Sequence, residues 1–131
     1  MGDPDTLEGR EPSLRTIAMP ADANPAGDIF GGWIMSQMDL AGAIYASYTV
    51  RGRLVTVAVD SMTFHLPVYV GDQVSCYCGV GRIGRSSISI HIEAWVRRRQ
   101  ADVKLLKVTE ATITYVSIDE SRKPVPIELL A

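Results

Sequence analysis

The sequence has few of the residues that bind metal ions or form covalent cross-links. Its 131 residues include two cysteines and two histidines. Cys76 and Cys78 are alternate residues of a predicted strand, so both thiols face the same way and a disulfide between them would be strained. Structural metal sites usually need four ligands, and His65 and His91 lack the spacing of a ligand pair. We therefore expect reduced cysteines, no metal site and no cofactor.

Long apolar runs and an excess of positive charge are also missing. No apolar run approaches the roughly 20 residues that a membrane-spanning helix needs. The first residues, MGDPDTLEGREP, are acidic and lack the apolar stretch of a signal peptide. The net charge of -2 and the isoelectric point of about 5.6 provide no general positive field for nucleic acid. These absences predict a cytoplasmic protein that binds neither membranes nor nucleic acids.

The length and composition predict one domain with one hydrophobic core. Hydrophobic residues make up 47% of the chain and charged residues 21%, which is the balance of an ordinary soluble domain. Residues 1–12 are polar and contain two prolines, so we expect a flexible N-terminal segment. The predicted domain covers residues 13–118, and residues 119–131 are predicted to form a C-terminal tail.

The periodicity of apolar residues predicts one long helix and five strands. Between residues 32 and 50 there is no proline, and apolar residues follow the helical spacing i, i+4, i+7 and i+11 from Ile34 to Tyr45. That helix is apolar nearly all round, so we expect it to be buried. The predicted strands lie at 13–19, 54–67, 73–83, 87–99 and 103–118. Their short connections imply antiparallel pairing, and a long helix wrapped by a curved antiparallel sheet is an α+β arrangement with the shape of a hotdog fold.

The stretch NPAGDIFGGW, residues 24–33, places two adjacent glycines where the helix begins. A helix start without side chains exposes unpaired N–H groups and the positive end of the helix dipole, which suit an anion or a developing negative charge. The alternative is that Gly31 and Gly32 only allow close packing. Asp28 is predicted to be the N-cap of the helix.

Three longer stretches carry a family resemblance: AMPADANPAGDIFGGWIMSQMDLAGAI, RLVTVAVDSMTFHLPVYVGDQVSCY and GRSSISIHIEAWV. They closely resemble the YciA-like acyl-CoA thioesterases, hotdog-fold enzymes related to the brain-type acyl-CoA hydrolases. The resemblance runs from about Leu14 to Val116. It implies hydrolysis of an acyl-CoA to a free acid and CoA by a homo-oligomer, with a dimer as the active unit in a trimer of dimers.

The resemblance also implies a working pair, Asn24 in the loop and Asp39 in the helix, that meets across a dimer interface. Asp39 would act as general base or nucleophile, Asn24 would orient the water or the carbonyl, and the amides of Gly31 and Gly32 would polarise the carbonyl. The residues themselves agree, because an aspartate in a nearly apolar helix is costly unless it is paired or used. The alternative places Asp39 on a narrow solvent-facing stripe of the helix.

The coenzyme A part of the substrate is expected to bind at a hairpin and along a strand. Arg85, Ser86 and Ser87 offer a cation and hydroxyls to its phosphates. The next strand ends in three arginines, Arg97, Arg98 and Arg99. They either add to the positive charge that binds the phosphates or form a solvated strand end. Backbone groups of Thr56 and Val57 are candidates to bind the pantetheine amides. Candidate acyl-pocket residues, for which core packing is the alternative, are Trp33, Met35 and Met38.

Two other functions fit the same fold. A non-catalytic acyl-CoA-binding sensor would need an output module, for which no residues are left over, and it would not need Asp39. A hydroxyacyl-CoA dehydratase usually has an Asp/His pair, but His65 and His91 lie outside the helix-entry motif. Hydrolysis is therefore the first prediction.

Overall fold

The structure is a computed structural model that describes residue 7, residues 9–98 and residues 104–130. Most of the predicted N-terminal segment and Arg99 fall outside these residues. The described elements are, in chain order, β1 (Leu14–Ile17), a 3-10 turn (Pro20–Asp22), α1 (Gly31–Ser47), β2 (Arg53–Phe64), β3 (Gln73–Ile83), β4 (Ser87–Arg98) and β5 (Lys104–Ile118). The predicted succession of short strand, long helix and four long strands is confirmed.

The strands form one antiparallel sheet in the order β1-β3-β4-β5-β2. Strand β4 shows why the sheet has one buried face: Ile88, Ile90 and Ile92 are fully buried, and the intervening Ser89 and His91 are partly exposed on the opposite face. The buried face packs against α1. Within the part of the chain that is described, no helix is long and apolar enough to cross a bilayer.

Helix α1 makes its closest approach to the sheet at Gly42. A Cβ atom added there would lie 2.8 Å from Ile92 Cδ1 and closer still to the hydroxyl of Tyr115. Only glycine therefore lets the helix axis come this near to β4 and β5, and the contact fixes the height of α1 over the sheet.

The expectation that α1 is buried nearly all round is wrong for the single chain. The sheet covers one side, where Ile34, Met38 and Ala46 are buried, but Leu40 is 53% exposed and Tyr48 is 78% exposed on the other side. One curved sheet cannot surround a helix. The apolar side of α1 that faces away from the sheet therefore stays exposed in the single chain and can pack against another protein surface. Strand β2 adds to this apolar side, because this strand forms one edge of the sheet and leaves Val57 and other apolar residues exposed.

The predicted C-terminal tail folds back onto the domain. The N–H of Val125 donates to Ser117 O at 2.9 Å, and the N–H of Ile127 donates to Arg85 O at 2.7 Å. The N–H of Leu130 reaches Thr49 O, just after α1, at 2.9 Å. This segment connects the β3–β4 hairpin to the C-terminal end of the helix.

Both cysteines are free thiols on β3. Burial, with a smaller effect from Cys78, raises the pKa of Cys76 to about 12. Cys76 therefore packs as a small apolar group.

Candidate active site

Asp39 is the only charged residue of α1, and its carboxylate is held by two hydroxyl groups. Its Oδ1 accepts a hydrogen bond from Thr56 Oγ1 on β2 at 2.7 Å and one from the Tyr115 hydroxyl on β5 at 3.1 Å. The same hydroxyl lies 2.8 Å from the backbone oxygen of Asp39. The carboxylate is thus directed at the junction of the helix with the edge strand β2, not at a solvent-facing stripe.

Tyr115 is a candidate site residue that sequence reasoning missed. Its side chain is 1% exposed, and burial together with the negative charge of Asp39 raises the pKa of Tyr115 well above its ordinary value. The hydroxyl therefore stays protonated and serves as a permanent donor to Asp39. The two residues are 76 positions apart, and the alternating pattern of β5 shows only that Tyr115 faces inward.

Asn24 is fixed by the loop that precedes the helix. Its Oδ1 accepts from the N–H of Ala26 at 2.9 Å and from the N–H of Asp28 at 3.1 Å, and its own N–H donates to Asp28 O at 2.7 Å. Gly27, with a φ of 95°, makes the tight turn possible. Asn24 is thereby held in one orientation.

The prediction that Asp28 is the helix N-cap is wrong. The N-cap residue is Phe30, which makes no side-chain capping bond, and Asp28 instead forms a backbone bridge with Tyr69. The Asn24 loop ties down the backbone of Asp28 two residues before the cap position, so its carboxylate cannot serve the helix end.

Gly31 and Gly32 open α1, and within the described residues their N–H groups have no hydrogen-bond partner. The two glycines differ in their surroundings. A Cβ on Gly31 would lie 3.2 Å from the Phe64 ring, so packing alone accounts for this glycine. A Cβ on Gly32 would meet nothing within 4 Å, so Gly32 presents an unobstructed approach to the positive end of the helix.

A cleft of about 420 Å³ lies beside this helix start. Asn24 and Gly31 line it together with Asp28, Ile29, Ile34, Phe64, His65, Leu66, Pro67 and Val68. Asp39 does not line it, because at 1.5 Å per residue Asp39 lies roughly 12 Å along the helix from Gly31. Within one chain, the structure brings Asn24 to the glycines but brings neither to Asp39.

The candidates for binding CoA occupy two places. Thr56 and Val57 lie on the edge strand, where a register shift between Thr56 and Ala58 leaves Val57 outside the β2–β5 ladder. The side chain of Thr56 is directed at Asp39, a contact that was not predicted.

At the β3–β4 hairpin, Ser86 O accepts from the Ser117 N–H at 2.9 Å and Ser87 O accepts from the Gly84 N–H at 2.8 Å. The side chain of Arg85 is exposed beside the C-terminal segment. Backbone hydrogen bonds thus hold the hairpin, and the side chain of Arg85 faces solvent.

The suggested arginine patch does not form within one chain. Arg97 lies near the far end of β4 from Arg85, on the order of 30 Å away at about 3.3 Å per residue. Arg98 is occupied structurally, because its Nε and Nη2 donate to the two carboxylate oxygens of Asp72 at 3.1 and 2.8 Å. Its guanidinium also stacks on the Tyr69 ring at 4.5 Å. Arg99 lies outside the described residues.

The three acyl-pocket candidates point in different directions. Met38 is fully buried in the core, and Trp33 is half-buried and packs against it. Met35 is 38% exposed on the outer side of α1. Met38 is therefore a core residue, as the packing alternative had it, and Met35 belongs to the uncovered face.

Neither histidine forms an Asp/His pair with Asp39. The imidazole Nε2 atoms of His65 and His91 lie 3.7 and 3.2 Å from oxygens of Glu110 instead. The geometry therefore does not provide the pair that the dehydratase alternative requires.

Comparison with known proteins identifies the fold and the family. Residues 26–102 match the thioesterase superfamily. The chain is 53% identical over 116 residues to the acyl-CoA thioester hydrolase YciA of Salmonella typhimurium, with 87% of each chain covered. A hexameric thioesterase of Yersinia pestis superimposes with a TM-score of 0.86 at 51% identity, covering 94% of this chain and 99% of that one. A hexameric hotdog-fold thioesterase of Campylobacter jejuni gives the same TM-score at 46% identity, with 90% of each chain covered.

The fold and these matches define the class, a hotdog-fold thioesterase domain. More narrowly, the chain belongs to the YciA family of acyl-CoA thioester hydrolases. The predicted hotdog fold, the family and the hydrolase class are confirmed.

Proposed function

We propose that this protein hydrolyses acyl-CoA thioesters to a free carboxylic acid and CoA at a site shared by two subunits. One subunit supplies Asp39, and its neighbour supplies Asn24 and the helix start at Gly31 and Gly32. The separation of roughly 12 Å between Gly31 and Asp39 along α1 carries this proposal, because a single carbonyl cannot contact both ends of that distance. A screen of CoA release from acyl-CoAs of increasing chain length tests the activity itself.

The carboxylate of Asp39, the amide of Asn24 and the N–H groups at the helix start can together cleave a thioester. The thioester oxygen lies against the N–H groups of Gly31 and Gly32, where the helix dipole stabilises the negative charge that develops on it. The carboxylate of Asp39 takes a proton from a water that Asn24 orients, the water oxygen bonds to the carbonyl carbon, and the C–S bond breaks to release CoA thiolate. In the second form of the mechanism Asp39 attacks the carbon itself, and water hydrolyses the resulting anhydride.

Assembly follows from the surface that the single chain leaves uncovered. Leu40 and Ile44 on α1, Tyr48 just after the helix and Val57 on the β2 edge are exposed apolar groups, and a second copy would cover them. The related thioesterases of Yersinia pestis and Campylobacter jejuni are hexameric. We propose the same state here, with dimers as the active units of a trimer of dimers.

For the CoA part we propose two contacts. Arg85, with Ser86 and Ser87, binds phosphate at the hairpin tip, and backbone groups near Thr56 and Val57 bind the pantetheine arm. Arg97 remains a candidate only for a phosphate delivered to the opposite end of β4.

Replacing Tyr115 with phenylalanine is expected to lower kcat by about tenfold or more and to leave KM nearly unchanged. The hydroxyl holds the reacting carboxylate but does not touch substrate, and a hydrogen bond to a charged group contributes about 1.5–3 kcal/mol. Steady-state kinetics measure kcat and KM separately and so test this expectation. Tyr45→Phe is the matched control, since the Tyr45 hydroxyl has no hydrogen bond within the described residues. Equal kinetics in both variants would show that Tyr115 only fills space.

Replacing Arg85 with alanine is expected to raise KM for acyl-CoA by about tenfold with little change in kcat. A phosphate far from the carbonyl is bound equally in the ground and transition states, and a charge-assisted contact is worth about 1.5 kcal/mol or more. Acyl-pantetheine, which lacks the nucleotide, should be hydrolysed equally by both proteins. If Arg97→Ala raises KM and Arg85→Ala does not, the phosphate site lies at the other end of β4.

A further inference from the structure

Four side chains that can bind a metal ion converge on the face of the sheet opposite α1. His91 and Glu93 are outward-facing residues of β4, Glu110 lies opposite Glu93 on β5, and His65 follows β2. The Nε2 atom of His91 lies 3.2 Å from Glu110 Oε1 and 3.8 Å from Glu93 Oε2. The Nε2 atom of His65 lies 3.7 Å from Glu110 Oε2.

The strand register concentrates negative charge at this point. Glu93 and Glu110 are directly paired across β4 and β5, an arrangement in which like charges repel. Lys107 offsets part of this charge, with its Nζ 2.9 Å from Glu110 Oε2 and 4.0 Å from Glu93 Oε2. The ammonium group of Lys107 thus lies next to both carboxylates.

The distances between the donor atoms match a small coordination sphere. In a tetrahedral zinc site with bonds of about 2.0–2.1 Å, neighbouring ligand atoms are separated by roughly 3.3 Å. His91 Nε2 lies 3.2 Å from Glu110 Oε1 and 3.8 Å from Glu93 Oε2, and the donor atoms of these three residues all lie within 4.8 Å of one another.

Space for an ion is available beside the cluster. His65, His91 and Glu110 line a pocket of about 240 Å³ together with Ser61, whose φ of 56° marks the irregular segment of β2. A register shift between Asp60 and Thr63 accompanies this conformation and separates β2 from the regular ladder at the pocket.

We propose that His91, Glu93 and Glu110 form a binding site for a divalent transition metal of the zinc type, and that His65, whose Nε2 lies 3.7 Å from Glu110 Oε2, turns towards the ion as the fourth ligand. Two imidazoles with carboxylates favour zinc over magnesium or calcium, which prefer oxygen ligands alone. The incoming ion displaces the ammonium of Lys107. Spacing along the chain did not reveal the site, because its ligands come from β4, from β5 and from the residue that follows β2.

The test is calorimetric titration of the untagged oligomer with Zn²⁺ alone, and Co²⁺ absorption in the visible range reports the coordination geometry. Both histidines of the chain lie in the cluster, so an affinity tag must be absent. We expect one ion per chain. His91→Gln should weaken binding at least about tenfold, and Lys107→Gln should strengthen it, because the competing cation has gone. Glu120→Gln, in an exposed turn, is the control.

Opposite shifts in the His91 and Lys107 variants support the site, since a nonspecific carboxylate surface would respond weakly to both. The proposal is overturned if wild-type protein takes up no Zn²⁺ at micromolar concentrations. It is also overturned if binding survives His91→Gln but is lost in Cys78→Ser, which would place the ion on the thiols of β3. Thermal unfolding of each variant verifies the fold. The side chain of His91 is partly exposed, so its replacement with glutamine should not disturb the core.

Discussion

Replacing Asp39 with alanine is expected to lower kcat for acyl-CoA hydrolysis by at least about 100-fold, the usual effect of removing a general base. The carboxylate is the only charge on α1, and the hydroxyls of Thr56 and Tyr115 hold one of its oxygens. No other acidic group of the helix can replace it. Binding of CoA should persist, because the phosphate contacts that we propose lie at a different part of the protein.

Two further variants separate chemistry from folding. Asp39→Asn preserves the shape and the acceptor for both hydroxyls but cannot accept a proton or form an anhydride, so it should be as impaired as the alanine variant. Ser36→Ala changes α1 one turn earlier at an exposed position and should leave kcat unchanged. A near-wild-type rate in purified, correctly assembled Asp39→Ala protein would show that the assigned mechanism is wrong.

Regular periodicity explains why the fold was predictable. In β4 and β5 apolar and polar residues alternate, since one face packs against the helix and the other is exposed, and the predicted limits of these strands agree with the structure over the described residues. The prediction that α1 is buried nearly all round also came from its apolar pattern. Its apolar residues predict burial, but the sheet of the single chain covers only one side of the helix, and the apolar pattern does not indicate which side that is.

The candidate site was predictable only where its residues are close in sequence. Asn24, Gly31 and Gly32 form one continuous motif, and the structure places Asn24 and Gly31 on one cleft. Contacts between distant strands leave no local pattern. Tyr115 reaches Asp39 across 76 positions, and Arg98 pairs with Asp72 across 26. The first contact was therefore missed, and for Arg98 neither alternative, a phosphate patch or a solvated strand end, included the ion pair with Asp72.

Mixed assemblies of Asn24→Ala and Asp39→Ala subunits should regain about one quarter of the wild-type rate. With random pairing, half of the dimers contain one chain of each kind, and one of the two sites in each such dimer has both Asn24 and Asp39 intact. Asp39→Ala alone should retain about one hundredth of the activity or less, so the recovery is large. The expected result depends on the roughly 12 Å between Gly31 and Asp39 along the helix, from which we infer that the two halves of a site belong to different chains.

Co-expression of the two variants with different affinity tags, followed by sequential purification, isolates the mixed assemblies for a CoA-release assay. The matched control pairs Asp39→Ala with a double variant that lacks both side chains. No site in that assembly has an aspartate, so its activity should equal that of Asp39→Ala alone. If the mixed assemblies of single variants are no more active than the average of their parents, Asn24 and Asp39 act within one chain. The carbonyl would then have to lie away from the N–H groups of Gly31 and Gly32, because these amides cannot reach a group held by Asp39 of the same helix.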